Sequence, residues 1–402
     1  MNLCRRINEH CYWIGVNDRR LQRFENMFPL DNGVSYNSYL ILDEKICIMD
    51  SVDSSAADQY MANIEALLGE RCPDYLVVQH MEPDHCGSIQ QLLERYPQCR
   101  MVGNKKTFQL YEQFYDSRFR ERYLEVADND HLNLGAIDLR FILAPNVHWP
   151  EVMVTYDELH HLLFSADAFG SFGAIQGNLF YDELDSDQEL PELRRYYSNI
   201  VGRQGASVQR LFKKLEDLEL DVLCPLHGRV FRRVVDVAFI LDKYQHWSTY
   251  TPEENGVVLF WSSMYGNMEL AMDKLALYLS EAGVREIKCF DVSQTDPSYI
   301  IAELFRCSHF VVGGVNYNTE LYFKLEALLK EALTCGVQKR DFALLVSKSW
   351  GGKAEQILKE LLDPKRFTQL GETLPLLSSL KPEQDQALQD LAQTLAKSIL
   401  KA

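Results

Sequence analysis

The sequence predicts an α/β protein of two domains, a helix-covered sheet sandwich followed by a doubly wound parallel sheet. Three observations predict it. The chain has 402 residues, too many for one ordinary domain. Its first half is rich in short strand-like runs broken by helical patterns, which fits two sheets packed face to face under helices. Beyond about residue 250 the pattern becomes a regular strand–helix alternation, and five such units in about 150 residues describe a parallel sheet with helices on both faces.

Taken in order, the strand-like runs of the first half are YWIGV, SYNSYLIL, KICIMDSV, DYLVVQ, LRFILA, EVMVTY and HLLFSA. Helical patterns fall at about 55–69, 88–96, 105–116, 188–216 and 230–246. The polar, turn-rich segment HWSTYTPEENG reads as a linker, dividing the chain into domains 1–250 and 251–402. After it come GVVLFW and a helix at about 268–282, EIKCFDV and a helix near 298–305, then HFVVGG and a helix at 319–335. DFALLVS and a helix at 353–363 follow, then a strand somewhere in 366–374. The last helix, near 383–400, carries Leu388, Leu391, Leu395 and Ile399 at helical spacing. This second domain has the size and pattern of a flavodoxin-like sheet.

Composition narrows the function. Hydrophobic residues make up 47% of the chain and charged residues 25%, enough for sizeable cores and unlike a disordered protein. A net charge of -17 argues against nucleic acid or an anionic membrane as partner, because phosphates are bound by Lys and Arg. Ten cysteines are scattered with no C-x-x-C pair, so no rubredoxin-like iron site or zinc ribbon is built in, and a reducing compartment is expected. The N-terminus lacks the apolar core of a secretory signal, and no run approaches the ~18 apolar residues of a membrane span. These features predict a cytoplasmic protein.

The chemistry starts at QHMEPDHCGS, just after DYLVV. His80, Glu82, Asp84 and His85 are four potential metal ligands or proton carriers within six positions. In an extended segment residues 80, 82 and 84 point the same way, and His85 turns in through a bend at Gly87. A plain solvated loop explains one His and one Asp easily and four such residues poorly. Three distant candidates also follow apolar runs: His148 in APNVHWPEVMV, Asp167 in LLFSADAFGSFG and His227 in DVLCPLHGR. His10, His131, His160, His161, His246 and His309 have no such setting and are read as structural.

The pattern resembles the metallo-β-lactamase superfamily, in which H-x-H-x-D-H and a later His, Asp and His hold two metals. Here Glu82 replaces one histidine. Four histidines and three carboxylates are a harder, more anionic set than five and two, which favours iron cycling between Fe(II) and Fe(III). With a flavodoxin-like domain attached, the stretches MEPDH, HWPE, FSADAFGSFG and PLHG resemble the flavodiiron proteins along nearly the entire chain. Cys86 stands where that family commonly has Ser. The resemblance implies a non-haem diiron centre: His80, Glu82 and His148 on one iron, Asp84, His85 and His227 on the other, and Asp167 bridging, with His85 the weakest ligand. Tyr196 and Tyr197, in ELRRYYSNI, are candidate proton donors near the substrate, with helix packing the competing role.

The second domain carries its own signals. Ser262, Ser263, Met264, Tyr265, Gly266, Asn267 and Met268 join a strand to a helix N-terminus, where backbone N–H groups and hydroxyls can cradle a phosphate monoester. The lack of Lys and Arg in this loop fits FMN. Two later loops leave the same end of the sheet: Gly314, Val315, Asn316, Tyr317 and Asn318, then Ser347, Ser349, Trp350, Gly351 and Gly352. Trp350 is a candidate to stack on the isoalloxazine ring or to pack in the core. Gly314-Val315-Asn316 departs from the Ser-Pro-Thr-like run usual in the family.

Together these features predict a reductase of O2, NO or both, with FMN relaying electrons from an external donor such as rubredoxin. The resemblance implies a head-to-tail homodimer or a dimer of dimers. Two rival readings are a dizinc hydrolase with an accessory flavodoxin-like domain and a flavin electron carrier whose first domain has lost its metals.

Overall fold

The computed structural model describes residues 2–184 and 186–401. It divides into two compact units: Met1–Tyr197 with Ala206–Gln245, and Ser198–Gly205 with His246–Ala402. The chain therefore passes between units three times, and eight residues from the middle of the chain, Ser198–Gly205, belong to the second unit although the flanking segments belong to the first.

Beside two two-stranded ribbons, the first unit holds two large sheets. One has the order Arg5–Arg6, Cys11–Trp13, Tyr39–Leu42, Ile46–Met49, Tyr75–Val77, Arg100–Gly103, Tyr123–Glu125, antiparallel as far as Ile46–Met49 and parallel beyond it. The other runs His131–Asn133, Asp138–Leu143, Met153–Asp157, Leu162–Phe164, Val222–Cys224, and only its last pair is parallel. Strands covered on both faces must be apolar throughout rather than alternating. YLIL and ICIM show this: Tyr39, Ile41, Cys47 and Met49 join the core between the sheets, with Phe141, Phe164 and Cys224, while Leu40 and Ile48 are buried on the opposite face. Parallel register aligns Met49 with Val77 and Phe164 with Cys224, so the loops after residues 77, 164 and 224 leave from aligned strand ends.

The second unit has the strand order Ile287–Asp291, Glu254–Trp261, Cys307–Tyr317, Arg340–Lys348, Phe367–Gln369, all parallel. In sequence terms this is 2-1-3-4-5, the flavodoxin-like order, with its switch point between Glu254–Trp261 and Cys307–Tyr317. Leu259, Val311 and Leu345 from the sheet pack with Met272 and Leu275 of helix Asn267–Glu281 and with Leu388 and Leu395 of helix Asp385–Ile399. Among the described residues no helix is long and apolar enough to cross a membrane.

Four elements differ from expectation. The single helix expected over 188–216 is two, Ser186–Tyr196 and Gly205–Leu215, separated by a widened turn at 197–201 and a tight one at 202–204. Tertiary contact imposes the break: a side chain at Gly205 would meet the Ser248 carbonyl at 2.3 Å, and one at Gly202 the Cys335 carbonyl at 2.8 Å. Most of the expected linker is structured, because helix Val234–Thr249 runs into it and strand Glu254–Trp261 begins before GVVLFW. The fifth strand is split into Phe367–Gln369 and Leu374–Leu377, with Gly371 at φ +71° between them. Helix Phe323–Thr334 starts four residues late because Asn316–Tyr317 first folds back on Glu320–Leu321.

Candidate metal centre and cofactor cradle

Seven side chains from four loops converge at the strand ends of the sandwich. His80 follows Tyr75–Val77, and its approach is shaped by the buried Asp50 carboxylate, which accepts from the N–H groups of Gln79 at 2.7 Å and His80 at 3.3 Å. Burial, resisted by these hydrogen bonds, raises the Asp50 carboxyl to about 6. The extended conformation expected for 80–84 holds only to Glu82. Pro83 opens a single helical turn, Pro83–Cys86, which swings Asp84 and His85 inward. Gly87 has φ -60° and is no special bend. It is needed because a side chain there would meet Ser54 N at 2.6 Å and the Pro83 carbonyl at 2.7 Å.

Two groups of ligand atoms result, His80 with Glu82, His148 and Asp167, and Asp84 with His85 and His227, the atoms of each lying within 4.8 Å of one another. Glu82 Oε2 is 3.1 Å from Nε2 of both His80 and His148. Asp167 stands between the groups. Its Oδ2 faces His148 Nε2 at 3.2 Å and His80 Nε2 at 3.5 Å, while its Oδ1 faces His85 Nε2 at 3.1 Å and His227 Nε2 at 3.9 Å. His227 Nε2 is also 3.2 Å from Asp84 Oδ2 and 3.0 Å from His85 Nε2.

Partners behind the ligands aim them. His80 Nδ1 donates to Glu151 Oε1 at 2.8 Å, and the same oxygen accepts from Met81 N at 2.9 Å. His227 Nδ1 donates to the Ser35 carbonyl at 2.7 Å. Each ring thus keeps a proton on Nδ1 and presents Nε2 to the centre, the orientation of a metal-ligating imidazole. The sequence reading missed both partners. Glu151 had a signal in HWPE, three residues after His148; a backbone carbonyl 192 residues away had none.

The electrostatics are those of mutually held opposite charges. Burial opposes ionisation of Glu82, yet hydrogen bonds from His148 and His80 hold it well below the usual carboxylate range. Asp167 is likewise held well below, burial being outweighed by His85 and His80. Burial would also lower His85, but Asp84 and Asp167 raise it to about 9. Asp167 and Glu82 raise His148 to about 9 against the same opposition. Even so, both Asp84 oxygens, Asp167 Oδ1 and His85 Nδ1 are buried without a hydrogen-bond partner among the described residues. Buried carboxylate oxygens left unpaired are costly, and two cations would satisfy them. The donor set therefore fits a pair of transition metals.

Tyr196 packs beside this centre. Its ring lies 5.5 Å from that of His227 and 5.1 Å from Phe172, over Gly170, where a side chain would touch the ring at 3.0 Å. Its hydroxyl is buried with no hydrogen-bond partner among the described residues. Burial first, then Asp167, Glu82 and Asp84, push its pKa well above normal, so it stays protonated. Tyr197 instead packs edge-on against Tyr244 at 4.8 Å, and the Tyr244 hydroxyl accepts from Phe169 N. A cavity of about 420 Å³ opens onto Glu82 and Asp84, walled by the turn that carries Glu25 and Asn26. Glu25, which the sequence reading passed over, is raised to about 8 by burial and by its hydrogen bond with Glu82.

In the second unit a cavity of about 270 Å³ sits at the switch point of the sheet. Three expected loops line it: the first with Ser263, Met264, Tyr265, Asn267 and Met268, the second with Val315, Asn316, Tyr317 and Asn318, the third with Ser347, Ser349, Trp350 and Gly351. Ser262, Gly266, Gly314 and Gly352 lie outside its lining. Ser262 Oγ is buried beneath it without a partner among the described residues, and Gly266, at φ +84°, caps helix Asn267–Glu281 while its N–H donates to Ser263 Oγ. A side chain at Gly314 would strike Leu358 at 2.7 Å, so that position faces a helix. One at Gly352 would fall 1.9 Å from Asn316 Oδ1; its absence lets the Asn316 side chain reach the Ser347 carbonyl at 3.1 Å and accept from Ala354 N at 3.1 Å. Thr319, Lys348 and Ser378 complete the wall. Ser378 comes from a fourth loop, missed because the fifth strand extends farther than expected, and its hydroxyl donates to Ser349 Oγ at 2.9 Å. Trp350 and Tyr265 are 77% and 88% exposed, so Trp350 is a cavity wall and not a core residue. Hydroxyls, a helix N-terminus and exposed aromatic faces fit a phosphorylated planar ring system.

Comparison with known proteins agrees with this architecture. A family model described as ODP family beta lactamase matches residues 34–228. The chain is 27% identical to a nitric oxide reductase of Moorella thermoacetica over 98% of each chain. Its structure resembles rubredoxin oxygen:oxidoreductase from Desulfovibrio gigas with a TM-score of 0.93 at 23% identity, over 99% of each chain. It also resembles the flavodiiron protein of Giardia intestinalis with a TM-score of 0.90 at 22% identity, covering 100% of this chain and 98% of that one.

Proposed function

The chain belongs to the flavodiiron protein family, and on that premise we propose that it reduces O2 to water, NO to N2O, or both, with electrons from an external donor such as rubredoxin. The observation that carries the proposal is Asp167, whose two oxygens face two separate groups of imidazoles. His80, Glu82 and His148 would hold one iron, Asp84, His85 and His227 the other, and Asp167 both. When bound, the iron pair supplies open coordination positions for a diatomic gas and FMN supplies electrons singly or in pairs.

The protein's own residues do the rest. Glu151 and the Ser35 carbonyl fix the tautomers of His80 and His227, so both rings meet the metals preorganised. Three carboxylates offset the charge of two cations in a buried site. Reduction of O2 to water consumes four protons, and Tyr196, kept protonated beside the ligands, would offer one from its hydroxyl. In the second unit the N–H groups at the start of helix Asn267–Glu281, with Ser262 and Ser263, would hold the phosphate. Val315–Asn318 and Ser347–Gly351 would hold the ring, with Trp350 against its face. The same premise supports a diiron domain over 1–250, a flavin domain over 251–402, a head-to-tail homodimer or dimer of dimers, and a cytoplasmic location.

The test is the metal and flavin content of protein produced anaerobically with ample iron, followed by O2 and NO consumption with reduced rubredoxin. Two irons, one FMN and donor-dependent gas consumption are expected. Two zincs under those conditions, or flavin with no metal, would overturn the proposal.

A further inference from the structure

His10 and His160 read as structural in the sequence, 150 residues apart and without a motif. The fold brings them together. Glu9 and His10 lie in the turn between Arg5–Arg6 and Cys11–Trp13 of the first sheet, and His160 lies in the turn between Met153–Asp157 and Leu162–Phe164 of the second. One ligand atom from each of the three lies within 4.8 Å of the others. His160 Nε2 is 3.4 Å from Glu9 Oε1, and the two imidazole centroids are 5.4 Å apart.

Both rings are oriented from behind. His10 Nδ1 donates to the Leu42 carbonyl at 3.0 Å. His160 Nδ1 donates to Asp157 Oδ2 at 2.6 Å. Asp157 is itself buried, its Oδ1 accepting from Leu159 N at 2.9 Å and His160 N at 3.3 Å. A carboxylate or carbonyl on Nδ1 leaves the Nε2 lone pair free, the arrangement that backs metal-binding histidines. His161 next door has no buried partner of this kind, since the side chains of Asp221 and Glu219 are exposed. Its Nδ1 is the atom that faces Asp221 at 3.3 Å and Glu219 at 3.5 Å, as in a plain surface ion pair.

We propose that Glu9, His10 and His160 form a third metal site, separate from the diiron centre, that takes a divalent cation of the zinc class. Two imidazoles and one carboxylate are a borderline donor set with room for water in the fourth position. Calcium and magnesium are excluded because they require shells of oxygen. Zinc binds such donors more tightly than Fe(II). The ion clamps a turn of one sheet to a turn of the other, closing a loop of about 150 residues. This inference does not depend on the proposed gas reductase activity.

The test uses the iron- and FMN-loaded protein, dialysed against micromolar zinc chloride, with iron and zinc counted together by mass spectrometry. The wild type is expected to gain one zinc while keeping both irons and to unfold at a higher temperature with zinc than without. Glu9→Gln, a change at an exposed side chain, and His160→Asn are each expected to weaken zinc binding at least tenfold, with iron and flavin content unchanged. No zinc uptake, zinc gained with an equal loss of iron, or equal zinc binding by both variants would overturn the site.

Discussion

At the candidate metal centre, seven ionisable side chains reach one buried point from four loops, and two of the imidazoles are gripped from behind. The proposed flavin cradle is an open cleft at the strand ends of a single sheet, built from hydroxyls, amides and aromatic faces, two of them mostly exposed. The difference follows from what each must hold. Bare cations in a buried site demand charge and fixed lone pairs. A phosphate and a large planar ring are held by many weak contacts, each of which can be lost without losing the rest. The first site should therefore fail abruptly and the second by degrees.

The sharpest test of that contrast is Asp167→Ala. It removes the one carboxylate shared by both groups, and loss of both irons and of turnover is expected while FMN remains at one per chain by absorbance. Iron retained at two per chain would break the comparison at its strongest point. Tyr196→Phe comes next. Its hydroxyl has no hydrogen-bond partner among the described residues, so stability should hold, while turnover falls about a hundredfold if the phenol supplies a proton. An unchanged rate would return Tyr196 to ring packing. Glu151→Gln touches no metal directly and should lower iron affinity about 10- to 100-fold in a chelator competition. The mildest effect is expected in the cradle, where Trp350→Ala should weaken FMN binding roughly 2- to 10-fold, read by flavin fluorescence on dilution. A complete loss of flavin from that one change would show the cradle to be as brittle as the metal centre.

The same contrast explains how far the sequence could be read. His80, Glu82, Asp84, His85, His148, Asp167 and His227 could be picked out as candidates because these polar residues follow apolar, strand-like runs. The residues behind them could not. Ser35 contributes a carbonyl, which every residue owns, and Glu25 reaches Glu82 only through the fold of a distant turn. Pro83 lies in a stretch expected to be extended, although proline favours the first position of a helix, as it does here. In the second unit the strand–helix alternation made the sheet and three of its loops legible. The fourth loop, with Ser378, was hidden by the break in the last strand at Gly371. His10 and His160 were set aside because the carbonyl of Leu42 and the carboxylate of Asp157 that aim them are visible only in three dimensions.

The eight residues Ser198–Gly205 have a consequence for how the molecule can come apart. Asn199 donates to the Ser298 carbonyl, the Tyr250 hydroxyl donates to the Gly202 carbonyl, and Gly205 lies against Ser248. A protease that cuts once between residues 250 and 253 would break one of the covalent links without freeing the second unit, because this segment would still be folded into it. Clean release requires further cuts on both sides of the segment. By the same token, recombination at a single crossover could not exchange the second unit intact between relatives, because part of it is encoded upstream, inside the other.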